Sequence, residues 1–516
     1  MAKQVQNQAA KTVVFQPEVL PALVDAVGAA LAPSYSTSAQ EFDVSQHAIF
    51  SETLRPKKKV RKVVKGVDGQ PLLDSKGQKQ YTTEQIEVNR IGLPLQELIV
   101  KRRVSFMNVG NIQLIANPID DGQKRLFEVV KKHRTDNKLD FLEKEVATRM
   151  LSELQVAKIW YSEPVDPIYW TSIPGAKGNF RMRCKIVSPQ LGYKLLPVFD
   201  DYGNLLYFGV AYESRRSLLE LSGITDGAQL AQLANEKDKR IDIYADTAIY
   251  KFRQVRSGEA GGTSDGWIVE SVTPHSYGKI PVVYYFKPEP PWAKVQKSIA
   301  RLETLLSNFG DTNDYHASPV FVMMGKVGAK VLEKGEQGKS LQITGDNGDA
   351  KYVTWDQATE AVKLEIDTLV KFIYTCTQTP QMSMEDLKGL GATSGVAYDR
   401  IFIDAHLAAR DELDGDFGQG IQRDINLAKA FAAAIDTTLV QAAQTLEITY
   451  EVPIFRINDD SETLSLLQKA TGGAKLLSQR SGVGRSPYTK NVEEEMKLIE
   501  EEEKEALASK AETEVA

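Results

Sequence analysis

Two amphipathic helical segments separated by a block of strands and turns constrain this chain more than any other feature. From Trp292 to about His316, Val295, Ile299, Leu302, Leu306 and Phe309 recur at spacings of three and four, which predicts one apolar helix face. At 1.5 Å per residue such a helix runs roughly 35 Å. A second helix is predicted from about Thr359 to Thr379, striped by Val362, Ile366, Leu369, Val370 and Ile373. Lys363–Asp367 and Asp367–Lys371 sit at four-residue spacing on its outer side, and Pro380 stops it. Between the two, residues 317–358 read as strands and turns, with VFVMM, LQITGDNGDA and KYVTW.

The remaining chain has ordinary globular composition, 42% apolar and 26% charged over 516 residues. Two cysteines, Cys184 and Cys376, exclude a disulfide framework and a cysteine-based zinc site and point to a reducing environment. No uncharged apolar run reaches the roughly 18 residues of a membrane helix. The best stretch, Val19 to Ala32, carries Asp25 behind a polar start, so neither a membrane nor a secreted class is expected. The net charge of −6 conceals an asymmetry: residues 493–516 hold ten Glu and three Lys, so the rest sums to about +1. Near the start, Arg55, Lys57, Lys58, Lys59, Arg61, Lys62 and Lys65 place seven cations in eleven positions.

Along the chain, residues 1–50 read as an N-terminal arm with one short helical candidate. Residues 51–83 read as a β-hairpin, with β-branched RKVVKGV and turn signals at Asp68-Gly69 and Lys76-Gly77. Helices are predicted over about 94–104, 121–132 and 139–155, the last striped by Leu142, Val146, Met150, Leu151 and Leu154. Residues 156–290 switch to strands joined by short turns, including Asp201-Tyr202-Gly203-Asn204. After Pro380 a glycine-rich loop opens into a long helical segment from Val396 to about Ile435, kinked where Gly415, Gly418 and Gly420 interrupt it. The strand ITYEVPIF and two or three helices complete an α+β chain.

No motif carries catalysis. GEQGKS at 335–340 has Glu333 where a phosphate-binding loop needs its first glycine, and no strand and helix frame it, so it reads as a polar turn. The histidines, His47, His133, His275, His316 and His406, show no metal-ligand spacing and read as surface or packing residues. Asp200-Asp201, Asp311 with Asp314, and Asp459-Asp460 are the tightest carboxylate pairs, each read as capping amides at a turn or helix start. The cluster Lys57, Lys58, Lys59, Arg61 and Lys62 fits either a charged exposed hairpin or a contact with nucleic acid or an acidic partner. The Glu run 493–505 reads as a solvated terminal helix or as a surface that repels DNA. Lys294, Lys297 and Arg301 form a basic stripe on the first long helix; in a ring they would become stacked rings of positive charge.

Several segments in order resemble the portal proteins of long-tailed bacteriophages, the head-to-tail connector family. They are EVNRIGLPLQELIVKRRVSFMNVG, the strand pair around Asp200 to Asn204, PHSYGKIPVV, the helix ending SNFGDTND, YTCTQTPQM, the loop with ATSGVAYDR, and P-I-F followed by a GGAKLLS turn. PHSYGKIPVV and TSGVAYDR together carry the most weight. The chain departs from the family where KPEPP stands at 287–291 in place of an Asn-Asn pair, and the basic hairpin has no counterpart.

The resemblance implies a multi-domain subunit in a ring, usually of twelve copies, at one capsid vertex of the virion, assembled in the host cytoplasm. Residues 51–292 and 396–458 would form the wing, 293–316 and 359–380 the stem helices, and 317–358 the clip. Residues 381–395 would be the tunnel loop and 459–516 the crown. Such a homododecamer would be a conduit for double-stranded DNA during genome packaging and ejection. It would need no cofactor or metal, act as no enzyme, and dock the terminase large subunit and later a head–tail adaptor. Major capsid and scaffolding proteins would surround it. The physics fits this plan: two helices with a strand insertion cannot cover both faces alone, and a head-to-tail contact whose rotation closes makes a ring. Gly389, Gly391 and Gly395 would let the tunnel loop change conformation. Lys388, Lys294, Lys297 and Arg301 would face DNA loosely enough for it to slide. The alternatives are a nucleic-acid-binding adaptor using the 55–65 hairpin and an enzyme subunit of a packaging machine.

Overall fold

In the computed structural model, tight turns set the topology of the larger sheet. Asp200 accepts from the N–H groups of Tyr202 (2.9 Å) and Asn204 (2.7 Å), and Gly203 supplies a φ of +79°. This closes the hairpin from β6 (Tyr193–Phe199) to β7 (Leu205–Arg215), and β8 (Lys237–Tyr244), β9 (Ala248–Gln254) and β10 (Trp267–Pro274) continue it. The result is an antiparallel five-stranded sheet in the order β10-β9-β8-β7-β6. The described residues are 16–31, 35–66, 70–215, 226–227, 235–255, 266–316, 320–327, 343–353, 359–381, 401–453, 460–472, 476–486, 488–489 and 491–515. They fall into two compact units, one within Met1–Thr379 and Ala408–Pro453, the other within Pro380–Leu407 and Ile454–Ala516.

Strand alternation feeds two cores in the first unit. Leu196, Tyr207, Ile241 and Ile243 point to one face of the sheet, where Leu20 and Val24 of helix α1 (Leu20–Leu31) pack on them. Gly28 permits that docking, because a Cβ there would sit 2.8 Å from the Leu196 backbone. The neighbours Leu195, Phe208, Val210 and Tyr244 point to the other face and meet Ala157, Ile159, Val187, Val282 and Tyr284. Those belong to a three-stranded sheet, β11-β4-β5, made of Val282–Phe286, Gln155–Pro164 and Phe180–Val187. Helix α1, which the sequence reading left in a separate arm, is thus part of this layered core.

The outer face of the smaller sheet is covered by α4 (Asp121–Asp136), α5 (Leu139–Glu153) and α9 (Asp416–Ile435). A buried charge cluster pins them. Lys158 on β4 donates to Glu143 Oε1 (3.0 Å) and Oε2 (3.1 Å) on α5 and to Asp424 on α9. Asp424 also accepts from Trp160 Nε1 (2.8 Å) and the Tyr285 hydroxyl (3.4 Å). Burial opposes the ammonium, but Asp424 and Glu143 outweigh it and hold Lys158 protonated far above its usual range. Burial raises the Glu143 pKa against the pull of Lys158. His133 packs edge-on to Trp170 (5.8 Å) and Phe431 (5.3 Å), and burial drives its pKa down to about 4, so it is a neutral packing residue.

The predicted helices are observed at α3 (Leu95–Met107), α4 and α5, each within four residues of the expected ends. Of the three glycines, Gly415 alone lies at the break between α8 (Ile403–Asp414) and α9. Gly418 and Gly420 lie inside α9: a Cβ at Gly418 would overlap the Leu413 carbonyl across the break as well as the Tyr450 hydroxyl, so Gly418 accommodates the kink, whereas at Gly420 it would overlap the Tyr285 ring. β14 (Ile448–Glu451) pairs with β3 (Gln113–Ala116), and α10 (Val440–Thr445) precedes it. In the second unit, α11 (Asp460–Thr471), α12 (Gln479–Gly484) and α13 (Val492–Val515) pack in sequence order, and Arg480 pairs with Glu493. The predominantly antiparallel sheets with segregated helices make this an α+β fold.

Because α9 touches the Tyr285 ring through a bare backbone, Gly420→Ala should destabilise the first unit by about 2 kcal/mol or more. Chemical denaturation checks this; an unchanged midpoint would show that α9 can move off the sheet freely.

Candidate functional site

The helix that dominates the sequence forms as α6 (Gln296–His316). Val295, Ile299, Leu302 and Leu305 are buried along its apolar face. Trp292, fully buried just before it, stacks on Phe42 at 5.7 Å and donates from Nε1 to Glu41 Oε2 (2.9 Å).

A polar row on the same helix is also buried, and it has a specific partner. Residues 87–93 run extended without pairing to a strand. The N–H of Leu93 donates to Glu303 Oε1 (2.8 Å), that of Ile91 to Ser307 Oγ (2.9 Å) and that of Asn89 to Asp311 Oδ1 (2.8 Å). Four helical residues advance about 6 Å and two extended residues about 6.7 Å, so three rungs of an antiparallel ladder stay in step. Asn89 Nδ2 adds a bond to Asp314 Oδ2 (2.6 Å), and Gln96 Nε2 reaches Gln296 Oε1 (2.9 Å) at the other end. Arg55 closes the lower rung, donating to the Asn89 carbonyl, Asn308 Oδ1 and Asp311 Oδ2, each at 2.8 Å. Burial alone would raise the Asp311 pKa, but the Asn89 N–H, Lys58 and Arg55 outweigh it and lower it.

The carboxylates Asp311 and Asp314 therefore do not cap a helix start. They lie in the last turns of α6 and accept from a segment more than 200 residues away in sequence. The spacing of Glu303, Ser307 and Asp311 on one helix row was the available signal. The segments EVNRIGLPLQEL and SNFGDTND, read separately in the sequence, are two sides of this one contact.

The second helix, α7 (Thr359–Cys376), packs against α6, and a hairpin of β12 (Val320–Val327) and β13 (Ile343–Val353) lies between them in sequence. Arg301 of α6 donates from Nε (3.0 Å) and Nη2 (2.8 Å) to Glu365 Oε1 of α7. Arg103 holds the end of α7 through the Thr377 carbonyl (2.9 Å), and Arg102 lies over the Tyr374 ring. The expected pairs Lys363–Asp367 and Asp367–Lys371 are not formed; exposed pairs at this spacing contribute only a few tenths of a kcal/mol. A row of Ala361, Leu364, Thr368, Phe372 and Cys376 faces outward without a charge, with Leu364 69% and Phe372 50% exposed.

The family described as phage portal protein, SPP1 Gp6-like, matches residues 68–508. The chain belongs to this portal family. Among solved structures, one chain of the "Neck of empty GTA particle computed with C6 symmetry" is similar at 10% identity and a TM-score of 0.36. That match covers 74% of this chain and 88% of the other. No curated protein matches the sequence.

Within this portal subunit the residues singled out from sequence have unequal surroundings. Lys294 is 85% exposed and 3.8 Å from Glu289, Lys297 is exposed without an acidic partner among the described residues, and Arg301 is neutralised by Glu365. Lys388, Gly389, Gly391 and Gly395 lie outside the described residues, as does GEQGKS at 335–340. In the basic hairpin, Lys57 pairs with Glu87, Lys58 with Asp311 (3.0 Å) and Lys62 with Glu84 (3.1 Å). Lys59 and Arg61 have no acidic partner among the described residues. Among these residues no group of three His, Cys, Asp or Glu could hold a metal ion, and no helix is long and apolar enough to cross a membrane.

His47 adds a titratable clamp to the ladder. Its Nδ1 lies 2.6 Å from Glu303 Oε1 and its Nε2 2.8 Å from the Glu41 carbonyl. Burial opposes its charge, but the Glu303 hydrogen bond and charge prevail and raise its pKa above the ordinary 6.5. The stabilisation is full below pH 6.5 and is lost as pH rises through the raised value. Denaturation midpoints should accordingly fall across that window, and His47→Asn should flatten the fall; an equal slope in the variant would assign the proton elsewhere.

Proposed function

We propose that copies of this portal subunit close into a ring at a capsid vertex and form a non-enzymatic conduit for double-stranded DNA during packaging and ejection. The observation that carries the reading is the outward row Leu364–Thr368–Phe372 on α7. With α6 closed on its polar side by residues 89–93 and on its apolar side by the rest of the unit, this row is an open apolar part of the helix pair, suited to a neighbouring copy. Covering two large apolar side chains favours association by roughly 1.5–3 kcal/mol per side chain per contact. A head-to-tail contact repeated with a closing rotation gives a ring.

In this reading 293–316 and 359–380 are the stem, 317–358 the clip and 381–395 the tunnel loop. The wing comprises 51–292 and 396–458, and 459–516 forms the crown. Exposed Lys294 and Lys297, together with Lys388, face the channel; Arg301 holds the two stem helices together and presents little free charge. The clip docks the terminase large subunit and later a head–tail adaptor, while capsid and scaffolding proteins surround the wing. Few free cations suit a conduit, since each neutralised phosphate adds affinity that slows sliding.

Replacing Leu364 and Phe372 together by Glu should abolish higher oligomers in light scattering while leaving the helical circular-dichroism signal unchanged. Oligomers that survive the double substitution would show that subunits do not meet through this row.

A further inference from the structure

The hairpin of β1 (Lys58–Val63) and β2 (Tyr81–Ile86) is the feature that the conduit does not use. The family match starts at residue 68, so β1 lies outside it. The two strands are exposed at every position except half-buried Val63. A two-stranded ribbon with both faces in water is marginal by itself. This one is tied at its base, where Arg55 and Lys58 share Asp311 of α6.

Register sorts its cations. Residues directly opposite in an antiparallel pair point to one face. Lys58, Val60 and Lys62 stand opposite Ile86, Glu84 and Thr82, and both lysines of that face have carboxylate partners in Asp311 and Glu84. On the other face Lys59, Arg61 and Val63 stand opposite Gln85, Thr83 and Tyr81. The Lys57–Glu87 pair closes the base of this second face. Beyond it, as far as Tyr81, there are two unpaired cations and three neutral hydrogen-bonding side chains, and no carboxylate.

We propose that this second face binds the phosphate backbone of double-stranded DNA without reading its sequence, at a site separate from the channel. Phosphate oxygens are contacted by Arg and Lys together with Thr, Gln and Tyr, which is the set displayed here. An exposed two-stranded ribbon also has the dimensions to lie along or within the major groove. An acidic protein partner is the competing occupant. Protein interfaces centre on a dry apolar core inside a polar rim. This face has Lys59 and Arg61 at its centre, with Val63 and Tyr81 at one end.

The test is fluorescence anisotropy of a labelled short duplex with the full-length chain between about 50 and 200 mM salt, where each phosphate contact contributes about 0.9 to the log–log slope. Lys59→Gln with Arg61→Gln should flatten the slope by about 2 and weaken binding about tenfold at the lowest salt. Lys57→Gln with Lys62→Gln removes the same charge from the same hairpin, but from cations that already have carboxylates, and should leave the slope within error of the parent. Lys59, Arg61 and Lys62 are solvent-exposed and Lys57 is half-buried beside Glu87, so melting temperatures should change little in either double variant. Equal losses in the two double variants would overturn the proposal. So would a Glu-rich peptide of matched charge that binds as tightly as the duplex and loses as much in the first variant, which would assign the face to an acidic protein.

Discussion

The backbone of residues 89–93 is extended yet lies beside no strand, and its part-buried N–H groups need acceptors, since a fully buried one left without would cost about 1–3 kcal/mol. Three side chains on one row of α6 remove that cost, and the solution has consequences well beyond the segment itself. The ladder fixes where chain entering α3 runs, holds the base of the β1–β2 hairpin through Arg55 and Lys58, and engages His47 through Glu303. It also occupies the polar side of α6. That polar side is therefore closed to a neighbouring copy, whereas the outer side of α7 remains open.

The layered core of the first unit is held by a different device. Lys158, Glu143 and Asp424 come from β4, α5 and α9, three elements that packing alone could slide past one another. A buried charge accepts few partners, so the cluster selects one arrangement of these elements, and removing one member would leave an unpaired buried charge at a cost of about 3–5 kcal/mol. Gly420 brings the Tyr285 ring against α9, close enough for its hydroxyl to reach Asp424.

Local signals made much of the fold legible. Apolar spacing located α6 and α7, Asp200 and Gly203 marked the β6–β7 turn, and Gly415 marked the break before α9. Nonlocal pairing was not legible. Asp311 and Asp314 look like caps from sequence because a capping Asp and an Asp that accepts from a distant backbone have the same local pattern. The same limit applied to Arg301, whose place on a basic stripe gave no hint of Glu365, 64 residues away. Likewise seven cations in eleven positions gave no means of separating Lys58 and Lys62, which have acids, from Lys59 and Arg61, which have none among the described residues; only the strand register does so. Gly420 shows a related limit, since a glycine that permits a kink and one that permits a close approach to the Tyr285 ring are the same residue type.

The claim on which the functional account rests is that the open side of the helix pair is covered by an identical subunit. Electron microscopy of the purified full-length chain tests it most directly, through class averages that count the subunits. The account predicts closed rings with a central hole and about twelvefold symmetry. Monodisperse single subunits at the same concentration, with no closed rings, would contradict it.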